Sequence, residues 1–378
     1  MRSLLLIPLI LFFYQCQRTE TPEKIRFYVG TSDRELQKSI ILCELDLANG
    51  HISKLDSFGG SVSPSYLALS PGRLYLYAVN EAMDDSVPGS QQVTGFAVDR
   101  KTGGLTLINS QPSEGMGPCH LSVHPSGKYL LTANYGSGTI TVHPINRDGR
   151  LSPACDIKQH EGSGPDTTRQ EKAHAHFICA DPGGNYIFAV DLGIDKVMIY
   201  KFDQETGQLN PNPDQQFLST IPGAGPRHLV IHPSGVSVYV VNELNGTLIS
   251  CRYDPEHGII EPVNTLKNLE EECTGINYPA AVRVHPGGGF VYASNRGDHS
   301  SITVFKLIES GSIERVQVQD QGIDWPRDFN IDPSGKFLLV ANQRGNSIVV
   351  FRIDRSSGRL EPAGQVLNIS KPTSIVFL

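Results

Sequence analysis

A short turn recurs six times along this chain and restricts what it can fold into. Its copies are Ser70-Pro71-Gly72, His124-Pro125-Ser126-Gly127, Asp181-Pro182-Gly183-Gly184, His232-Pro233-Ser234-Gly235, His285-Pro286-Gly287-Gly288 and Asp332-Pro333-Ser334-Gly335. Successive turn prolines are 54, 57, 51, 53 and 47 residues apart. A period near fifty marks a repeat architecture. Around each turn the spacing is fixed while the period drifts. Seven residues before the turn proline stands another proline, at Pro64, Pro118, Pro226, Pro279 and Pro326, with Ala175 in the third copy. Nine residues after it stands Asn80, Asn134, Asp191, Asn242, Asn295 or Asn342. The constant part is therefore a strand–turn–strand unit, and length varies in the outer connections.

The segments between these landmarks read as strands. Leu229-Val230-Ile231 and Val238-Tyr239-Val240-Val241 carry the branched and aromatic residues that suit a pleated, buried surface. A third strand follows each Asn or Asp, as at Thr139 to Val142, Lys196 to Tyr200 and Ser347 to Phe351. A fourth follows a turn such as Asp148-Gly149 or Ser357-Gly358. Four antiparallel strands per repeat predict an all-β propeller. A seventh copy is split. Pro372 and Thr373 to Leu378 supply an inner strand, and Ile25 to Val29 and Ile40 to Leu47 supply the second and third. Seven blades follow, with the N- and C-terminal strands sharing one blade so that the ring closes without open edges. An open solenoid leaves the split copy unexplained.

Composition adds bounds. Hydrophobic residues are 39% and charged residues 19%, which suits a globular protein. The net charge of −7 gives no electrostatic basis for nucleic-acid binding. Met1-Arg2-Ser3 is a basic start, and Leu4 to Phe13 is an apolar run interrupted by Pro8, too short to span a membrane and of signal-peptide length. The reading is a signal peptide over residues 1–16 ending in a lipidated Cys16, a polar tether over 17–23 and the propeller over 24–378. That makes a bacterial cell-envelope lipoprotein, monomeric, whose membrane contact is the lipid anchor. The residues before Cys16, Tyr14-Gln15, depart from the small residues usual at such a site. The other six cysteines are scattered without a CxxC pair and read as isolated buried thiols.

Topology sorts the polar residues. Residues near the first proline and near the Asn or Asp share one face, and the His-Pro-Ser-Gly turns occupy the other, so His124, His232 and His285 read as turn residues. The recurring asparagines read as structural. The residues that break the repeat on the first face are the candidates: Cys119-His120, Arg169, His174-Ala175-His176, Arg227-His228 and Arg327-Asp328, then Glu81, Tyr135, Glu243, Arg296 and Gln343 after the Asn. Arginines, glutamates and histidines converging on one end of an axis suit a small anionic, oxygen-rich ligand such as a lactone or sugar acid. His174 and His176 alternate as metal ligands on a strand do, but no third ligand has a recognisable spacing, and neither metal nor cofactor is expected. GxSxG, P-loop and HExxH motifs do not occur.

Gly117-Pro118-Cys119-His120, His174-Ala175-His176, Gly225-Pro226-Arg227-His228, Val241-Asn242-Glu243, Ser294-Asn295-Arg296-Gly297 and Asp324-Trp325-Pro326-Arg327-Asp328 carry a resemblance. Over about Lys24 to Leu378 the chain resembles the seven-bladed propeller lactonases, namely the propeller-type 6-phosphogluconolactonases and the related fungal carboxymuconate lactonising enzymes. The resemblance implies a channel site of a His, two Arg and a Glu, matched here by the His174/His176 segment, Arg227, Arg296 and Glu243. Glu81, His120, Arg169, His228 and Arg327 are expected to bind substrate. The expected chemistry is hydrolysis of a sugar-derived lactone, with Glu243 or His174 as base and Arg227 and Arg296 as clamps. Muconate-type lactonisation and a non-catalytic envelope binding propeller are the alternatives. The export segment departs from a cytoplasmic, phosphorylated substrate.

Overall fold

The computed structural model describes residues 23–378 apart from 82, 84, 85, 309 and 310. The signal peptide and nearly all of the tether expected from the sequence lie outside these residues. The described chain forms seven antiparallel sheets and no helix. From the axis outward, blade 1 comprises Leu67–Leu69, Tyr75–Asn80, Gln92–Val98 and Leu105–Pro112. Blade 2 comprises Pro118–Val123, Tyr129–Asn134, Thr139–Pro144 and Asp156–Gln159, and blade 3 Ala175–Ala180, Tyr186–Asp191 and Lys196–Phe202. In blade 3 the outer position is divided between Leu209–Pro211 and Phe217–Ser219. Blade 4 runs Pro226–Ile231, Ser237–Asn242, Thr247–Asp254, Ile259–Lys267, and blade 5 Asn277–Val284, Phe290–Gly297, Ser301–Leu307, Ile313–Gln319. Blade 6 holds Pro326–Ile331, Phe337–Asn342, Ser347–Ile353 and Leu360–Asn368.

Blade 7 closes the ring as expected. Its inner strand is Pro372–Phe377, paired antiparallel with Lys24–Thr31 in the register Phe27↔Phe377, Tyr28↔Val376 and Val29↔Ile375. Ile40–Asp46 and Ile52–Phe58 complete it. Alternate side chains of one strand feed different interfaces. Phe27 and Val29 join the core shared with blade 6, whereas Tyr28 joins the core shared with blade 1. Seven such clusters occur among the described residues, one for each blade-to-blade interface. Strands buried on both faces explain the near-continuous apolar runs of the sequence.

Polar contacts staple the blades. On the turn face His124, His232 and His285 each direct Nε2 to the turn carbonyl of the next blade, at Gly184, Gly288 and Gly335, over 2.9, 2.9 and 3.0 Å. Those glycines have φ of +71°, +76° and +70°, and a Cβ would lie within 3.0 Å of the histidine ring. Asp181 and Asp332 stand in place of the histidine and accept N–H bonds from their own turns instead. At the other end Asn134, Asn242 and Asn342 donate to Thr139, Thr247 and Ser347 hydroxyls five residues on. The sequence reads these asparagines as structural, and the structure ties them to third-strand hydroxyls, with Asn134 and Asn342 also donating to the Ser113 and Gly322 carbonyls.

The described cysteines are all unpaired. Cys43, Cys119 and Cys251 are buried, while Cys273 is exposed in a loop, unlike the buried thiols expected.

Candidate functional site

The inner strands of blades 2 to 7 begin with a register shift, and in four of them that shift builds the site. Pairing with the second strand jumps between Pro118 and His120, Ala175 and Phe177, Pro226 and His228, and Pro326 and Asp328. The skipped residues are Cys119, His176, Arg227 and Arg327. A bulge leaves its residue out of the ladder and re-aims its side chain. Four equivalent positions from blades 2, 3, 4 and 6 thus form an upper tier around the axis.

The next residue on each strand, His120, Phe177, His228 or Asp328, forms a lower tier, mostly of rings. His120 lies 4.1 Å from both Tyr66 and Phe177, between ring centroids, and 5.4 Å from His228. Members of this tier also hold the next blade. His120 Nδ1 accepts the Ile178 N–H at 3.3 Å, as Asp328 accepts that of Ile375 at 3.2 Å and Ser374 that of Leu67 at 3.2 Å. His120 and His228, expected among the substrate contacts, therefore lie in a buried layer beneath the charged cluster. Burial, with the Arg283 and Arg227 cations for His120 and with Arg227 first for His228, depresses both well below the ordinary histidine value.

Above the tiers, the residues after the conserved-offset Asn supply the charge. Glu243 is the centre. Arg169 Nη2, Arg296 Nη2 and Arg227 Nε lie 2.6, 2.7 and 2.8 Å from its carboxylate oxygens. Burial pushes the Glu243 carboxyl up, but Arg296, Arg227 and Arg169 outweigh it and hold it at about 2. Three guanidinium groups on one carboxylate leave positive charge over. Burial and Arg296 lower Arg227 to about 9. Its Nη1 donates to the Ala280 carbonyl at 2.6 Å, while Nε is close to Glu243 yet not aligned for a hydrogen bond. Arg227 is 2% exposed, so an unaligned donor there is costly unless something else uses it. Arg327 pairs with both oxygens of Glu81 at 3.1 and 3.2 Å.

The two histidines of blade 3 differ. His174 stacks on Tyr135, directs Nδ1 to the Tyr135 carbonyl at 2.9 Å and Nε2 to Glu171 at 3.1 Å. Both its nitrogens are engaged. His176 Nδ1 lies 3.8 Å from the Cys119 thiol, and Nε2 has no hydrogen-bond partner among the described residues. Burial, then Arg227 and Arg327, lowers His176 well below the ordinary value, so it is neutral at pH 7. Asp191 replaces the recurrent Asn here. Its Oδ1 accepts the His174 N–H at 2.7 Å and its Oδ2 meets His160 Nδ1 at 2.7 Å, fixing the entry to this strand.

A cavity of about 600 Å³ opens from the turn face up to Tyr66, His120, Phe177 and Arg283. Its walls are largely aliphatic, among them Leu69, Val123 and Ile231, and Arg283 is already paired with Asp328 at 2.8 Å. Its other arginine, Arg73, is exposed, and it has no counterpart of three guanidinium groups on one carboxylate. Sequence reasoning missed Arg283 and Tyr66. A charged residue inside the Ala280–Val284 apolar run was the available signal for the first. His160 lies in an irregular connection, and only the Asp191 exception pointed to a partner. No group of three His, Cys, Asp or Glu arranged to hold a metal occurs among the described residues.

Comparison with known proteins agrees with this architecture. The family model described as lactonase, 7-bladed β-propeller, matches residues 26–377. The chain is 34% identical over 352 residues to the 6-phosphogluconolactonase of Bacillus subtilis, covering 93% of this chain and 97% of that one. It is 30% identical over 354 residues to a protein of Formosa agariphila of the same name, covering 92% and 98%. Among solved structures it is similar to the periplasmic gluconolactonase of Pseudomonas aeruginosa, with a TM-score of 0.89, 28% identity and coverage of 94% and 99%.

Proposed function

The chain belongs to the seven-bladed β-propeller lactonase family, and from that premise we propose that it hydrolyses a sugar-derived lactone at the Glu243 end of the channel. The observation that carries this reading is the fan of Arg169, Arg227 and Arg296 on one carboxylate, next to a neutral His176 with an unengaged Nε2. The sequence offered Glu243 or His174 as base. A carboxylate held at about 2 is a weak base, and His174 has both nitrogens occupied. His176 takes the role instead. Its Nε2 removes a proton from water as the water oxygen bonds to the lactone carbonyl carbon. Arg227 and Arg296 stabilise the oxyanion that develops, and Glu243 holds their planes in place. The ring C–O bond then breaks, and the imidazolium returns its proton to the leaving alkoxide. Arg169, in the connection ahead of blade 3 and about a third exposed, meets an anionic substituent.

The test is hydrolysis of gluconolactone and 6-phosphogluconolactone by pure protein, followed as acid release. A rate above spontaneous opening for at least one is expected, and no excess rate with either removes the assignment for these substrates. The names of the relatives support the lactone. The Pseudomonas protein, called periplasmic, supports export, and the basic and apolar start supports it independently. Anchoring through Cys16 belongs to the same reading. Replacing Cys16 by Ser is expected to move native protein from the detergent phase to the aqueous phase, and equal partitioning would remove the anchor.

A further inference from the structure

Next to the charged cluster, at the seam where blade 6 meets blade 7, a cavity of about 460 Å³ is lined by Trp325, Gln343, Arg344, Asn346 and Lys371. It contains no aliphatic residue, and it offers an aromatic ring, two cations and the Gln343 amide, while the Asn346 amide donates to the Arg344 carbonyl and accepts the Lys371 N–H. Trp325 joins it to the proposed lactone site. The residue two positions on is Arg327, and the Arg296 guanidinium lies 5.8 Å from the indole centroid. Arg344 stacks over the indole at 3.3 Å and forms no ion pair among the described residues. Lys371 reaches Asp33 at 3.7 Å and remains half exposed. Gln343 donates through Nε2 to Ser32 at 3.0 Å, which fixes its amide and leaves Oε1 as an acceptor.

The backbone supplies a second observation. The residue before the inner-strand proline has positive φ in several blades, and blades 2 and 4 place Gly117 and Gly225 there, at +64° and +60°. Blades 1, 6 and 7 place Ser63, Trp325 and Lys371 there, at +49°, +54° and +43°. Side chains are disfavoured in that conformation, which recurs at the blade entry, and in blades 6 and 7 it carries two long side chains to the seam. Neither side chain serves the core. Both line this cavity from opposite sides of the seam.

We propose that this cavity is a second subsite, which takes a pyranose ring bearing an acidic group, attached as a substituent to the lactone bound at the Glu243 cluster. It deepens the lactonase reading and rests on it. The apolar face of the ring lies on the Trp325–Arg344 platform, the acidic group meets Arg344 and Lys371, and a ring hydroxyl donates to Gln343 Oε1. The natural substrates would then be lactones of acidic disaccharides.

Trp325 is the single tryptophan of the chain, so its fluorescence reports on this cavity without any need for turnover. The probes are glucuronosyl-gluconate, cellobionate and gluconate, titrated against full-length protein. The expected result is a saturable change, with the acidic disaccharide at least ~10-fold tighter than cellobionate and gluconate weaker still. Arg344→Ala and Lys371→Ala are each expected to weaken the acidic disaccharide by ~10-fold, a loss of about 1.4 kcal/mol, while gluconolactone hydrolysis stays within about two-fold of the parent. Equal affinities for the three probes, or affinities unmoved by both substitutions, overturn the proposal. Absence of lactone hydrolysis in the parent protein would instead strike the lactonase reading and leave the titration to decide the subsite.

Discussion

The two ends of the channel are made from the same strands yet obey opposite rules. At the turn face the blades repeat one another: His124, His232 and His285 make the same clasp onto the glycine of the next blade. At the other end equivalent positions hold Cys119, His176, Arg227 and Arg327, a thiol, an imidazole and two guanidinium groups with different partners. A contact repeated around a ring stabilises interfaces and needs no single location. A reaction needs different groups at one point. Regularity therefore marks what holds this protein together, and its breakdown at the bulged position marks where chemistry is expected.

The largest expected effect falls at the irregular end. Replacing His176 by Gln should lower kcat for lactone hydrolysis by ~10²–10⁴. The fold should survive, because the only hydrogen-bond contact of the ring among the described residues is a long one to the Cys119 thiol, and its edge contacts with Tyr135 and His228 can be kept by a Gln of similar reach. Steady-state kinetics beside a thermal melt would measure both, and a variant with parental kcat would remove the base. Arg227→Lys keeps the charge and loses the planar fork, so kcat/KM should fall ~10-fold or more, about 1.4 kcal/mol. An unchanged kcat/KM would show that orientation at this position is immaterial. The smallest effect belongs to the regular end. His285→Ala should cost about 1 kcal/mol of unfolding free energy by denaturant titration, and kcat should not move. The same change at His124 and His232 should add nearly independently, since these contacts share no partner. A loss of kcat from any of the three would break the division between the two ends.

The sequence made the regular half of the molecule legible. Proline and glycine at fixed offsets placed every blade, including the one shared by Lys24–Thr31 and Pro372–Phe377, because turn chemistry is local. The convergence was legible as a set of residues: Arg227, Glu243, Arg296 and His176 do lie together. Their depths were not. Simple alternation cannot foresee that a bulge lifts Arg227 to the upper tier and leaves His228 among buried rings, since the register shift depends on pairing with Ser237–Asn242. Nor could spacing separate His174 from His176. The difference rests on Tyr135 and Glu171, which occupy the nitrogens of one and not the other.

The pH dependence of kcat/KM for gluconolactone, corrected for spontaneous opening, tests the central claim most directly. Burial, with Arg227 and Arg327, depresses His176, so its neutral, basic form persists below the ordinary value of 6.5 and is lost only as pH falls through the lowered one. Glu243, held at about 2, would keep its basic form through almost the whole acidic range. The account predicts a level kcat/KM from about pH 8 through 6.5 and a fall with a midpoint clearly below 6.5. A midpoint at or above 6.5 would contradict it.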